Sequence, residues 1–122
     1  MSDPNFVILY VKNPVESAAF YADLLGKKPI DAAPTFALFA LESGVKLGLW
    51  RAPDVEPAAT PVGGSELCFA VGSNATVDAT YAAWKAKGLR VIQAPTDMDF
   101  GHTFVALDPD GHRLRVFAPS AA

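Results

Sequence analysis

The feature that most constrains this chain is that it states one local pattern twice. In the first half, Phe6-Val7-Ile8-Leu9-Tyr10-Val11 is a run of β-branched and aromatic residues that predicts a buried strand. Asn13-Pro14-Val15-Glu16 then predicts a helix start. Asn13 can accept from the first helical N–H groups, Pro14 suits the first turn, and Glu16 is the third residue of the capping pattern. The helix is expected to run on to Leu25, where Gly26 ends it, with Phe20, Tyr21, Leu24 and Leu25 forming its apolar stripe. Lys28-Pro29-Ile30 is expected to be a short edge strand, because Pro29 has no N–H to donate to a ladder. Phe36 to Leu41 and Val45 to Trp50 read as two strands of a hairpin around Glu42-Ser43-Gly44.

The same order returns after a Pro- and Gly-rich stretch, 52–64. Leu67 to Val71 reads as a strand, and Ser73 or Asn74 caps a helix that runs to about Lys87 before Gly88. Leu89 to Ile92 is a short strand. Thr103 to Leu107 and Arg113 to Phe117 form a hairpin around Asp108-Pro109-Asp110-Gly111. The spacings match: Tyr21 stands to Val11 as Tyr81 stands to Val71, and Trp50 to Gly44 as Phe117 to Gly111. The expected fold is α+β. Two βαβββ repeats, about 5–51 and 65–118, form an open, curled, mostly antiparallel sheet with the helices outside. Neither half covers both faces of its own sheet, so one domain over 1–122 is expected, with a concave trough as the place for a ligand.

Composition narrows the function. Ten basic and 13 acidic residues, net charge -3, are scattered, which excludes a basic field for nucleic acid. A single cysteine, Cys68, excludes an intrachain disulfide framework and a multi-cysteine zinc site. No apolar run reaches the length of a membrane span, and Met1-Ser2-Asp3-Pro4 has no leader pattern, so a cytoplasmic location is expected.

The pattern resembles the vicinal-oxygen-chelate superfamily, also called the glyoxalase/bleomycin-resistance/dioxygenase fold. The residues carrying the likeness are Leu9-Tyr10-Val11-Lys12-Asn13-Pro14, Ser17 through Phe20-Tyr21 to Leu25-Gly26, Lys85-Ala86-Lys87-Gly88 and Asp108-Pro109-Asp110-Gly111-His112. Within that superfamily the chain is most similar to the small phenazine-antibiotic-resistance proteins, which bind griseoluteate-type compounds without chemistry. That narrower likeness rests on Asn5, Leu9-Tyr10-Val11, Ser43-Gly44, Leu49-Trp50, Phe100-Gly101-His102-Thr103-Phe104, Asp108 to His112 and Arg115-Val116.

The resemblance implies four metal-ligand positions in the superfamily's enzymes, two from each half, filled there by His, Glu or Gln. They fall here on Phe6, Gly48, Glu66 and Arg115. A divalent ion needs several converging O or N donors. Only Glu66 offers one, Phe6 and Gly48 have none, and Arg115 is a permanent cation. The neighbours Asn5, Val7, Leu47, Leu49, Ser65, Leu67, Leu114 and Val116 do not rescue the site under a one-residue slip. No metal and no cofactor are expected. Glu66 and Arg115 are expected instead to face the trough together. They either neutralise each other or orient a polar group of a ligand, with Arg115 taking a carboxylate in a bidentate contact.

Aromatic residues supply the rest of the expected binding surface. Phe36, Phe39, Trp50, Phe69, Phe100, Phe104 and Phe117 lie on strands or flanking loops. Trp50, just before the Pro-rich stretch, is placed to stack on a flat ligand, with Phe39, Phe100 and Phe104 as the opposite wall. His102 lies before a strand, either overhanging the pocket or turned away from it, whereas His112 is expected to be an exposed hairpin residue. Cys68 is expected to be a buried, unactivated thiol. Ser65 lacks the surroundings of a nucleophile elbow, Gly63-Gly64 lacks the Lys of a phosphate loop, and Asn74-Ala75-Thr76 is a helix start. The leading expectation is a metal-free homodimer that sequesters a small planar aromatic compound through Trp50, Phe39, Glu66, Phe100, His102, Phe104 and Arg115. The alternatives are a metal-dependent lyase, isomerase or dioxygenase of the same superfamily, and a metal-free enzyme using Glu66 as a general base.

Overall fold

The computed structural model describes residues 1–120. The chain forms two compact units, Met1–Pro61 and from Val62 on, with the boundary inside the Pro- and Gly-rich stretch. Each unit has the βαβββ order that the repeat predicts.

The first unit contains β1 (Phe6–Val11), α1 (Pro14–Leu25), β2 (Asp31–Ala32), β3 (Phe36–Ala40) and β4 (Lys46–Arg51). Its sheet has the order β1-β4-β3-β2, with β1 and β4 parallel and the other pairs antiparallel. The Asn13 side chain accepts from the Val15 and Glu16 amides at 3.1 and 3.2 Å, and Gly26 closes the helix in the left-handed region at φ 64°. Strand alternation gives one face to α1. Leu9, Val11, Ala37, Phe39, Leu47 and Leu49 are buried there with Ala18 and Tyr21 of the helix. Each such large apolar side chain contributes about 1.5–3 kcal/mol when fully buried.

The edge strand lies slightly later than expected, at Asp31–Ala32 instead of 28–30. Pro29 cannot donate, so the ladder against β3 starts with the Ile30 amide on the Leu38 carbonyl at 2.8 Å and continues through Asp31–Leu38 and Ala32–Ala37.

The second unit repeats the order with β5 (Glu66–Ala70), α2 (Asn74–Ala86), β6 (Arg90–Met98), β7 (Gly101–Leu107) and β8 (Arg113–Pro119), arranged β5-β8-β7-β6. Of the two candidate caps, Ser73 is the one used: its Oγ accepts from the Thr76 amide at 3.1 Å. The hairpin Asp108–Gly111 is held by Asp108, whose Oδ1 accepts from the Asp110 and His112 amides, both at 2.9 Å. Between α2 and the sheet, Phe104 meets Tyr81 and Trp84 edge-on at 5.5 and 5.4 Å, and Phe69 meets Trp84 at 5.6 Å.

β6 is longer than expected, running to Met98 where the sequence suggested a strand ending near Ile92. Its pairing with β7 is irregular between Val91 and Gln93 and between Gln93 and Thr96. Pro95 falls in the second irregular stretch, and the break in period-2 pattern hides the strand from a reading of alternation. Among the described residues no helix is long and apolar enough to cross a membrane.

Candidate functional site

The register of the second sheet sorts the candidate residues by face. Opposed partners on neighbouring strands share a face. Cys68, Arg115 and Val105 form one row, Ala70, Phe117 and Thr103 the next, and Glu66, Arg113 and Leu107 the third. All nine lie on the face away from α2. The alternate residues Phe69, Val116, Phe104, Ala118 and His102 lie on the helix side.

On the open face the Arg115 guanidinium is fixed from several directions. Nε donates to Glu66 Oε1 at 2.8 Å and Nη2 to Glu66 Oε2 at 3.0 Å, a two-pronged contact. Nη1 donates to Gln93 Oε1 and Thr103 Oγ1, both at 3.3 Å, and the Thr103 hydroxyl donates onward to the Val116 carbonyl at 2.9 Å. The Phe100 ring lies 5.6 Å from Arg115 Cζ and meets Phe117 edge-on at 5.8 Å. The arginine beside Glu66 holds its carboxyl below the usual carboxylate range, and Glu66 in turn raises the guanidinium further. Both groups are therefore ionised at neutral pH.

Glu66 and Arg115 are thus brought together, as the sequence proposed, and the Phe100 ring lies beside them. The Arg115 fork is filled by Glu66, so it does not stand ready for a ligand carboxylate. Gln93 and Thr103 escaped the sequence reading. Thr103 shares its face with Val105, two positions on, so period-2 logic could have found it; Gln93 lies in the part of β6 that alternation hides.

Three placements correct the sequence reading. Phe39 and Phe104 are both 0% exposed, each packed toward the helix of its own unit, so neither presents a ring to a ligand. His102 is turned to α2 and does not overhang the open face. Its Nδ1 meets Asp97 Oδ1 and its Nε2 meets Asp78 Oδ1, both at 2.7 Å. Both partners are acceptors, so both ring nitrogens must donate, which only the imidazolium can do. Asp78, then Asp97, raises the His102 pKa accordingly. Cys68 is exposed on the open face, not buried. Its Sγ lies 3.9 Å from Glu66 Oε1, and partial desolvation with that nearby carboxylate raises the thiol's pKa, so it is not activated.

In the first unit, the face away from α1 carries Phe6 and Lys46, then Ile8, Gly48 and Leu38, then Tyr10, Trp50 and Phe36. Trp50 is half-buried there, beside Tyr10 and Phe36 in register. Gly48 is glycine for a local reason. A Cβ at that position would stand 2.8 Å from Phe36 Cζ and 3.4 Å from Ile8 Cγ1, so the Phe36 ring occupies the space above it.

The residues at the four positions implied for a metal do not fit one. Phe6 and Gly48 carry no donor, and both oxygens of Glu66 accept from Arg115. Among the described residues no group of three or more His, Cys, Asp or Glu is gathered to hold a metal ion.

Comparison with known proteins agrees with the architecture. A family profile described as Glyoxalase/Bleomycin resistance protein/Dioxygenase superfamily matches residues 4–116. The phenazine antibiotic resistance protein EhpR of Enterobacter agglomerans is 31% identical over 116 residues, covering 93% of this chain and 89% of that one. A protein of Agrobacterium tumefaciens solved by NMR is 52% identical, with a TM-score of 0.91, and the match covers 99% of this chain and 100% of that one. A glyoxalase/bleomycin resistance protein/dioxygenase family enzyme from Burkholderia phytofirmans shares the fold, at a TM-score of 0.83 and 22% identity over 98% of this chain and 100% of that one. From the duplicated βαβββ order, the two four-stranded sheets and the profile match over nearly its whole length, the chain belongs to the Glyoxalase/Bleomycin resistance protein/Dioxygenase superfamily.

Proposed function

We propose that this protein is a metal-free binder of a small planar aromatic compound of the phenazine type, acting as a homodimer and conferring resistance by occupancy. The observation that carries the reading is the state of the residues at the superfamily's metal positions. Glu66 is held by both prongs of Arg115, and Gly48 lies under the Phe36 ring. The relationship to a phenazine antibiotic resistance protein supports the ligand class. The open faces supply suitable chemistry: Tyr10, Phe36 and Trp50 on one sheet, and Phe100 and Phe117 around a fixed guanidinium on the other. Flat rings stack on such groups with about 0.5–1.5 kcal/mol per aromatic pair beyond the area buried.

The test is a thermal-shift screen with phenazine and its simple derivatives, run beside metal analysis and sedimentation of the purified protein. Occupancy of the folded state raises the melting temperature, by an amount set by ligand concentration over Kd. A concentration-dependent rise, no stoichiometric transition metal and a dimer mass are expected. No rise across the panel removes the ligand class, and one bound metal ion per chain overturns the metal-free reading.

A further inference from the structure

The second unit contains a depression beside the Glu66–Arg115 pair. Its wall is Val62, Gly63, Gly64, Ser65, Glu66, Gly111 and Arg113, enclosing a depression of about 510 Å³. That volume lies in the range of small-molecule sites. Arg113 stands opposite Glu66 in the ladder, two residues before Arg115 on the same face of β8. The two arginines differ in commitment. Four of the N–H groups of Arg115 are taken by Glu66, Gln93 and Thr103. Arg113 is exposed, and among the described residues its guanidinium has no hydrogen-bond partner. Its charge is close enough to help lower the Glu66 carboxyl.

The charge balance of the depression follows. Glu66 is ionised but bound on both oxygens by Arg115, so its repulsion of an incoming anion is offset there. Arg113 is left as the uncompensated charge, and it is positive. Other residues of the wall allow close approach. Gly63 and Gly64 have φ of 147° and 76°, backbone that residues with a Cβ rarely adopt, and nothing stands within 4 Å of where a Cβ would be. Ser65 adds a hydroxyl beside them. A planar carboxylate entering this space would meet a forked donor, a hydroxyl and bare backbone. Guanidinium suits it better than ammonium because two parallel N–H groups match two oxygens.

We propose that this depression is a carboxylate subsite in which Arg113, rather than Arg115, takes the acid group of an aromatic ligand. The subsite rests on the aromatic-ligand reading for what the carboxylate is attached to, and on the geometry of the second unit for the carboxylate itself.

The experiment uses the full chain and three probes: benzoate, phenazine-1-carboxylate and unsubstituted phenazine. Amide NMR signals are followed during titration of wild type, Arg113→Gln and Arg113→Lys. Benzoate is expected to shift the Gly63, Gly64, Ser65 and Gly111 amides in wild type. Arg113→Gln should abolish those shifts, and Arg113→Lys should keep them at weaker affinity. Phenazine-1-carboxylate is expected to bind wild type about tenfold more tightly than phenazine, the size of one charge-assisted contact, and Arg113→Gln should erase the difference. An unperturbed spectrum of Arg113→Gln away from the depression verifies that the variant is folded. Benzoate shifts that persist in Arg113→Gln overturn the subsite, as does a carboxylate preference that survives it and is lost in Arg115→Gln. Phenazine binding with no preference for the carboxylate also overturns it. Arg113-dependent benzoate binding with no phenazine binding upholds the subsite and removes the phenazine reading.

Discussion

Single residues here take their roles from what their neighbours leave them. His102 shows this most directly. Its two aspartate contacts require the protonated ring, so its folded pKa lies above the ordinary value of about 6.5. A raised folded pKa means that the stabilisation is fully present below the unfolded pKa and is lost as pH rises through the folded one. The melting temperature is therefore expected to fall as pH is raised above the ordinary histidine value and through the higher folded one. His102→Gln should flatten that slope, as read by thermal denaturation across pH. Glu66 runs the other way. Its lowered carboxyl contributes stability above the ordinary carboxylate range, lost as pH falls through the folded value. Glu66→Gln leaves the Arg115 charge without its anion at a site where the two side chains are 26% and 17% exposed, and is expected to cost about 1–2 kcal/mol in urea denaturation at pH 7. The pairing of Glu66 with Arg115 was legible because the family resemblance places both among the four inner-strand positions that hold metal in the superfamily's enzymes. The contacts of His102 were not, because Asp78 and Asp97 come from a helix and from a strand segment whose alternation is broken.

At the scale of elements, local chemistry and tertiary register divide the work. The caps at Asn13, Ser73 and Gly26 act over a few residues, and they were readable for that reason. The extent of β2 and β6 depends on which partner strand supplies the next carbonyl, and the sequence misplaced both. Two glycines show how register turns into sequence. At Gly101, φ is 148° and a Cβ would collide with the Ala118 carbonyl on β8. Gly101→Ala is expected to destabilise by more than about 2 kcal/mol, measurable by chemical denaturation. At Gly48 the obstacle is only the far end of the Phe36 side chain. Gly48→Ala should cost about 1 kcal/mol, and a double-mutant cycle with Phe36→Ala should show that the cost depends on the ring.

For the whole molecule, the duplicated order and the number of strands could be read from the repeat, while the assignment of faces could not. Phe39 and Phe104 were expected on an open wall because aromatic residues on strands look alike in a sequence, and only the register tells which side each ring takes. The same sorting gives each unit one tryptophan in a different setting. Trp84 is 7% exposed in the core of the second unit, and Trp50 is half-buried on the open face of the first. A phenazine that stacks on the open face should quench only the Trp50 emission. Trp50→Phe should then abolish the quench while the Trp84 signal still reports folding. A quench that survives Trp50→Phe places the ligand elsewhere.

The Phe36 ring over Gly48 also sets what a metal centre at the four implied positions would require. Suppose a variant were built to hold a metal ion at these positions. A histidine at 48 would strike the ring unless Phe36 shrank first, and shrinking Phe36 alone would leave a void above the glycine. Replacing Arg115 alone would leave Glu66 without its counterion before any metal could bind. Each single step is disadvantageous until the others are in place, so a metal centre at these positions requires several changes at once.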